Sequence, residues 1–276
     1  MAQSVNKQYG VENLGDKILA AFKAAGKDTD NLTRDDLAML SEFHIGSRPA
    51  TRELAKLGGI EKGMSVIDLG SGIGGPARTL ADEFGCKVTA LEITNSFHEV
   101  AQMLTERVGV KGIEFVLGNA LDVPKPDASF DQVWLQHVQM NIEDKKKLVS
   151  EAFRLLKPGG RFVLHEIFAG TNQPVAYPAP WADDEKISFL VPSVEFKKLA
   201  MDAGFKEVAW KNVQEASIKF FDNLDAKLKA RPADAPPPLG INLLMGPSSP
   251  AKLANVLKNL KEDRIEVIKA VFERPI

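Results

Sequence analysis

Val66-Ile67-Asp68-Leu69-Gly70-Ser71-Gly72-Ile73-Gly74-Gly75-Pro76-Ala77-Arg78 is the stretch on which the rest of the chain depends. Its short apolar run of Val66, Ile67 and Leu69 has the composition of a buried strand. Gly70, Gly72, Gly74 and Gly75 follow, and a turn without Cβ atoms lets the backbone take left-handed angles and approach a ligand closely. Pro76 then pre-sets the dihedral of a first helical turn, where its missing N–H costs nothing. Strand, glycine turn and helix N-terminus together describe a nucleotide site in a doubly wound α/β sheet.

The glycine spacing alone is weak evidence, because Gly70, Gly72 and Gly75 also spell a dinucleotide fingerprint. Asp68 is the discriminator. A carboxylate at the strand end repels a pyrophosphate but suits a cationic ligand such as S-adenosylmethionine, which carries an ammonium and a sulfonium. An acid followed by glycines at this spacing resembles the first motif of the class I S-adenosylmethionine-dependent methyltransferases. The bland alternative is a tight strand-to-helix turn with Asp68 solvated.

Outward from this stretch, further strands are expected at 88–92, 113–117, 132–135, 161–167, 208–213 and 265–272, with helices between them. Glu92 ends the second strand, where a carboxylate can accept hydrogen bonds from both ribose hydroxyls. Gly118-Asn119-Ala120-Leu121 follows the third. Gln136-His137 lies just past the fourth, beside the first strand, at the switch point where α/β folds bind ligands. Lys157-Pro158-Gly159-Gly160 reads as a turn into the fifth strand, which holds His165 and Glu166. A long irregular stretch with Tyr177 and Trp181 leads to a helix near Ser193, and loops of such length are usually functional.

Before the first strand, residues 11–25 (Val11, Leu14, Ile18, Leu19, Phe22) have helical spacing, and Thr33 with Asp36 marks a second helix start. Phe43 to Pro49 is a loop with an apolar tip, followed by a helix over 50–57. After the sixth strand come an amphipathic segment (Ile218, Phe220, Phe221, Leu224, Leu228), a proline-rich run from Arg231 to Pro238, and the apolar Leu239 to Gly246, read as buried lid or dimer contact. The expected organisation is an N-terminal helical cap over 1–47, a nucleotide-binding core over 48–213, a helical lid insertion over 214–262, and a last core strand over 263–276.

Composition excludes several classes. A chain of 276 residues buries a full core, and its 26% charged and 44% hydrophobic content is ordinary for a globular protein. A net charge of −2 gives no sign of nucleic-acid binding. Cys86, the lone cysteine, rules out an intrachain disulfide and fits a reducing compartment. The polar stretch Met1 to Gly10 lacks the apolar segment of a secretory signal, and no run is long enough to cross a bilayer. A cytoplasmic monomer or homodimer, with no membrane, nucleic-acid or metal partner, is expected.

From about His44 onward the chain is similar to small-molecule methyltransferases of class I, in particular the sarcosine/dimethylglycine methyltransferase-like branch related to phosphoethanolamine methyltransferases. The stretches that carry this are His44-Ile45-Gly46, Asp68 to Arg78, Trp134-Leu135-Gln136-His137, Leu156 to Gly160, and Tyr177 with Pro180-Trp181. The resemblance implies a Rossmann-like seven-stranded sheet with the last strand antiparallel, and S-adenosylmethionine as cofactor. It implies contacts to the methionine moiety from Asp68, Gly70, Gly72 and Gly74, and to its amino-acid end from Gln136, His44 and Gly46. Glu92 would hold the ribose, Asn119, Ala120 and Leu121 the adenine, and Ile93 is a further cofactor-binding position. Asn119 departs from the family's aspartate, a neutral and weaker acceptor for the adenine amine. His137 and His165 are the candidate bases. Tyr177, Trp181 and Trp134 are a candidate aromatic wall for a methylated ammonium; their bland alternative is core. The acceptor implied is a glycine-, sarcosine- or dimethylglycine-like amine, with Arg48, Arg52 or Lys186 for its carboxylate. O- or C-methylation of a phenolic, quinone or lipid-like molecule is the alternative. A non-transferring S-adenosylmethionine protein such as a cyclase, and a nicotinamide oxidoreductase, are the other classes left open.

Overall fold

The computed structural model describes residues 10, 12–232 and 239–276. Val11 and positions 233–238 of the proline-rich run lie outside the described residues.

Seven strands form one sheet: β1 (Ser65–Leu69), β2 (Lys87–Glu92), β3 (Ile113–Leu117), β4 (Phe130–Gln136), β5 (Leu156–Ala169), β6 (Lys206–Asn212) and β7 (Ile265–Glu273). Their order is β3-β2-β1-β4-β5-β7-β6. β1 to β5 run parallel, and β7 enters antiparallel between β5 and β6. The expected doubly wound sheet with a reversed last strand is therefore observed. β7 is buried along nearly its whole length, as its apolar run of Val267, Ile268, Ala270, Val271 and Phe272 requires of a strand covered on both faces.

Ten helices of the described residues surround the sheet: α1 (Leu14–Ala24), α2 (Arg34–Ser41), α3 (Ser47–Gly58), α4 (Gly75–Phe84), α5 (Asn95–Arg107), α6 (Lys145–Leu155), α7 (Ser193–Asp202), α8 (Gln214–Lys229), α9 (Asn242–Met245) and α10 (Ser249–Lys261). Thr33 starts α2 in a complete capping box with Asp36, as the sequence predicts. Lys157 to Gly160 differs from its expected role. It is a bulge inside β5 rather than a turn before it: Leu156 pairs with Phe130, and pairing resumes at Arg161 with Gln132. Gly159, at φ 77°, supplies the bend.

Helices α1 and α2 meet α9 in one apolar cluster. Leu14, Ile18 and Phe22 of α1 pack with Leu37 and Leu40 of α2, Phe97 and Leu104 of α5, and Leu244 of α9. The apolar 239–246 segment is thus taken up inside the chain. Phe221 of α8, Val256 and Leu260 of α10, and Trp181 form a second cluster with Ile45, Met140, Ile167 and Val267. The irregular 171–192 segment is fastened to α10 at several points. Asn259 exchanges two hydrogen bonds with the backbone of Ala176 (2.8 and 3.0 Å), Asn255 donates to the Pro178 carbonyl (2.9 Å), and Lys252 pairs with Asp183 (2.9 Å).

Candidate active site

Two cavities open where β1 and β4 end, the switch point of the sheet. The first is lined by Gly70 and Gly72 of the turn after β1, Glu92, Ile93, Thr94 and Phe97 after β2, and Gly118, Asn119 and Ala120 after β3. Val138, Asn141 and Ile142 close it from the β4 side. The second, of about 300 Å³, is predominantly apolar and lies under the cap and insertion helices. His137 and Phe43 line both.

The glycine turn is tightly built. A Cβ on Gly70, at φ 73°, would come within 2.7 Å of both Val138 methyls, and one on Gly75 within 2.1 Å of the Ser41 carbonyl oxygen. The second contact seats the end of α2 directly on the start of α4. Glu92 accepts hydrogen bonds from the N–H groups of Gly72 (2.8 Å), Ile93 (3.0 Å) and Thr94 (2.8 Å), which joins the turn to the end of β2. Asn119 Oδ1 accepts from Leu121 N (3.0 Å), and Asn119 lines the cavity.

This corner is rich in buried carboxyl groups. Asp68 is buried at the end of β1, and burial, with the Glu92 and Glu42 carboxylates beside it, pushes its pKa up to about 8. Burial also raises Glu92, against the pull of its N–H donors, and Glu42, against the pull of Arg78, Arg48 and Arg34. Three buried carboxylates in one corner favour a cation there. Asp68 Oδ2, Ser71 Oγ and Gln136 Nε2 are buried without partners among the described residues. An amino-acid terminus and a ribose would satisfy such atoms, and buried polar groups are ordinarily satisfied. The residues present therefore fit S-adenosylmethionine.

Three histidines cluster behind the junction. The His137 and His165 ring centroids are 4.8 Å apart, and His44 stands 6.2 and 6.0 Å from them. Burial holds His44 down to about 4 and the other two well below the usual imidazole range, so all three rings are neutral at pH 7. His137 has a left-handed backbone at φ 54°, a conformation few non-glycine residues adopt. Its Nε2 has no partner among the described residues, and it lines both cavities.

The structure brings together Gly70, Gly72, Glu92, Ile93, Asn119 and Ala120 on one cavity, and His44 and Trp181 on the other, with His137 common to both. Asp68, Gly74 and Gln136 stand behind the cofactor cavity: Gly74 precedes α4, and Gln136 Oε1 accepts from Trp134 Nε1 (2.7 Å). Gly46 precedes α3, and His165 lies behind His137 rather than on a cavity wall.

Three further expected site residues line neither cavity. Trp134 is fully buried in the core with Leu54, Val66, Leu80 and Val163, because alternation along β4 turns it to the α3–α4 layer. Leu121 packs against the core under β4 and β5. Tyr177 is half-buried and hydrogen-bonds Ser188, which also accepts from Trp181 Nε1 (2.9 Å); it braces Trp181 rather than lining the cavity. Thr94, Phe97, Val138, Asn141 and Ile142, missed in the sequence, sit within a few residues of positions that were named. Phe221 and Leu224 belong to the amphipathic segment noted in the sequence without a site role, and Met39, Glu42 and Val256 carry no local signal.

Residues 67–164 match the family model described as a methyltransferase domain. Over 148 residues the chain is 30% identical to a sarcosine/dimethylglycine N-methyltransferase of Halorhodospira halochloris, covering 53% of each sequence, so it spans about half the length of that curated relative. In fold it is similar to a putative sarcosine dimethylglycine methyltransferase of Galdieria sulphuraria, with 19% identity, a TM-score of 0.69, and 94% and 98% of the two chains covered. It is also similar in fold to the cyclase SpnF, with 21% identity, a TM-score of 0.65, and 83% and 81% covered. Residues 67–164 thus match a methyltransferase domain, and the sheet order and the acid-and-glycine turn agree with that match.

Proposed function

We propose that the chain transfers a methyl group from S-adenosylmethionine to the hydroxyl oxygen of a compact apolar molecule, such as a phenol. The observation that carries this reading is the junction: His137 and Phe43 face the glycine-turn cavity on one side and an apolar cavity on the other. A volume of about 300 Å³ is at the small end for ligand sites. Its body is lined by Ile45, Met140, Ile167, Trp181, Phe220, Phe221 and Leu253, while Glu42, His44, Ser47 and His137 are its inner polar groups.

S-adenosylmethionine supplies a methyl group on a positive sulfur that leaves as a neutral thioether. The chain's residues align the acceptor and exclude water. Neutral His137 accepts the hydroxyl proton at Nε2, which frees an oxygen lone pair to form the new O–C bond. His44, neutral through burial, gives the same corner a second polar edge. Helix α2 on one side and α8 with α10 on the other act as two halves of a lid over the acceptor.

An amino-acid acceptor is less well served. The cations nominated for its carboxylate face elsewhere: Arg48 pairs with Asp35 (2.6 Å) and Arg52 with Glu83 (2.6 Å), and Lys186 is exposed. Among the described lining residues the one cation is exposed Lys227. Burying a carboxylate without a partner costs several kcal/mol in such a site, roughly the scale of polar-group desolvation. A methylated amine without a carboxylate is the second reading, favoured by Trp181, Phe43 and Glu42 on one wall.

Formation of S-adenosylhomocysteine with phenolic, apolar amine and sarcosine-type acceptors tests both. Turnover with the phenols is expected. Turnover with sarcosine alone would overturn the apolar-hydroxyl reading, and no binding of S-adenosylmethionine by folded protein would overturn methyl transfer itself.

A further inference from the structure

The turn that delivers His137 is held by two buried charged residues that the methyl-transfer reading leaves without a task. Glu166, on β5, accepts hydrogen bonds from Val138 N (2.9 Å to Oε1, 3.1 Å to Oε2) and Gln139 N (3.3 Å). Lys145, at the start of α6, donates to the Gln139 carbonyl (2.6 Å) and to the Ile142 carbonyl. One residue grips the N–H groups of the turn and the other its carbonyls. Both are buried, Glu166 completely. Gln139 completes the grip by donating from its side chain to the Ile167 carbonyl.

This short turn contributes to both cavities. His137 lines both, Val138, Asn141 and Ile142 line the cofactor side, and Met140 lines the acceptor side. It also holds the acceptor wall, because Asn141 Nδ2 donates to the Trp181 carbonyl (2.7 Å) and Met140 O accepts from Phe189 N (2.8 Å). A left-handed non-glycine residue such as His137 persists only where its surroundings over-determine it. The groups that over-determine it here are His165 O, which accepts from His137 N (2.9 Å), and the Glu166 carboxylate one residue further along β5.

We propose that Glu166 and Lys145 are positioning residues that clamp residues 138–142 and so fix where His137 stands between cofactor and acceptor. The assignment rests on the methyl-transfer reading only for its catalytic consequence. The clamp itself is a statement about the ligand-free protein. An ion pair buried for stability alone is a poor investment, and neither residue bonds the other's charged group directly. Each instead satisfies backbone groups of the same turn, which is what a positioning device requires.

The test compares Glu166→Ala, Glu166→Gln and Lys145→Met with Asp131→Ala. Asp131 lies at the far end of the sheet, where it accepts from Ser65 N and pairs with Lys157, so its loss destabilises without touching either cavity. In ligand-free protein, the His137 imidazole resonances are assigned by their loss in His137→Ala among only four histidines. They are expected to shift and broaden in Glu166→Ala and Lys145→Met, and the Val138 and Gln139 amides to exchange at least about tenfold faster. Asp131→Ala should leave both unchanged. Glu166→Gln, which keeps one acceptor oxygen and the volume, should fall between, and remains informative if the alanine variant does not fold. With an acceptor, kcat should fall about 10–100-fold in Glu166→Gln, with KM for S-adenosylmethionine changed by less than about threefold. Unchanged His137 resonances and amide exchange in Glu166→Gln and Lys145→Met would overturn the clamp, whatever the protein binds. Failure of wild-type protein to bind S-adenosylhomocysteine would instead overturn methyl transfer and leave the clamp to the ligand-free measurements.

Discussion

The two cavities are built in opposite ways. The cofactor side is assembled from the ends of β1, β2 and β3 and the turns that follow them, each contiguous in sequence, with the buried carboxyl groups of Asp68 and Glu92 about it. The acceptor side takes Met39 from α2, His137 and Met140 from the β4 exit, Trp181 from the irregular segment, Phe221 from α8 and Val256 from α10, and its lining is apolar. One is a charge-selecting pocket on rigid sheet ends. The other is a shape-selecting pocket on elements drawn from more than two hundred residues of chain. Donor binding should therefore respond to single charges, and acceptor binding to single volumes.

Asp68→Asn is the most severe way to test that division. Removing the buried carboxyl group behind the donor cavity should weaken S-adenosylmethionine binding about 100-fold, roughly 2.7 kcal/mol, by calorimetry, with the fold intact by circular dichroism. A loss smaller than threefold would break the comparison, because charge would not be what the pocket selects.

Trp181→Ala should act on the other side only. Opening the acceptor wall is expected to raise the acceptor KM about 10–30-fold, while S-adenosylhomocysteine affinity stays within a factor of two. Equal effects on both ligands would show the cavities to be one site. Trp134→Phe sharpens the contrast, since that indole is in the core and on neither wall. It should cost roughly 1–2 kcal/mol of stability through the lost bond to Gln136 Oε1, and leave acceptor KM unchanged.

The pH dependence follows from Asp68. Its pKa is raised in the folded protein to about 8, so the folded state holds a proton that the unfolded chain releases near 4. Its contribution to stability is present below pH 4 and is lost as pH rises toward 8. A bound cation favours the ionised form, so donor binding should release a proton and tighten between pH 6 and 8, by at most about tenfold per unit. Asp68→Asn should flatten this slope. The smallest effect is expected of Asn119→Asp, where a charged acceptor for the adenine amine should tighten adenosine-containing ligands about three- to tenfold.

Much of the cofactor side was legible because its signals are local. A strand ending in Asp68, a bare backbone turn, and carboxylates or amides at successive strand ends occupy consecutive positions, and a parallel sheet brings strand ends together by construction. The errors lie where local pattern underdetermines direction. Trp134 and Gln136 share one side of β4, and the sequence does not say that this side faces α3 and α4. The Lys157–Gly160 stretch has turn composition, yet pairing of Leu156 with Phe130 makes it a bulge.

The amino-acid sequence by itself determined the sheet, its glycine turn and the charge of the donor site, because each rests on interactions among residues near in the chain or on the period of a strand. Tertiary structure alone decided which aromatic faces the acceptor, that 239–245 packs on α1 and α2, and that Glu166 and Lys145 converge on one turn. Those outcomes depend on how α8 and α10 dock against β7 and the irregular segment, through contacts between residues far apart in sequence. Packing of that kind is set by complementary shape across the assembled core, which no short window of sequence contains.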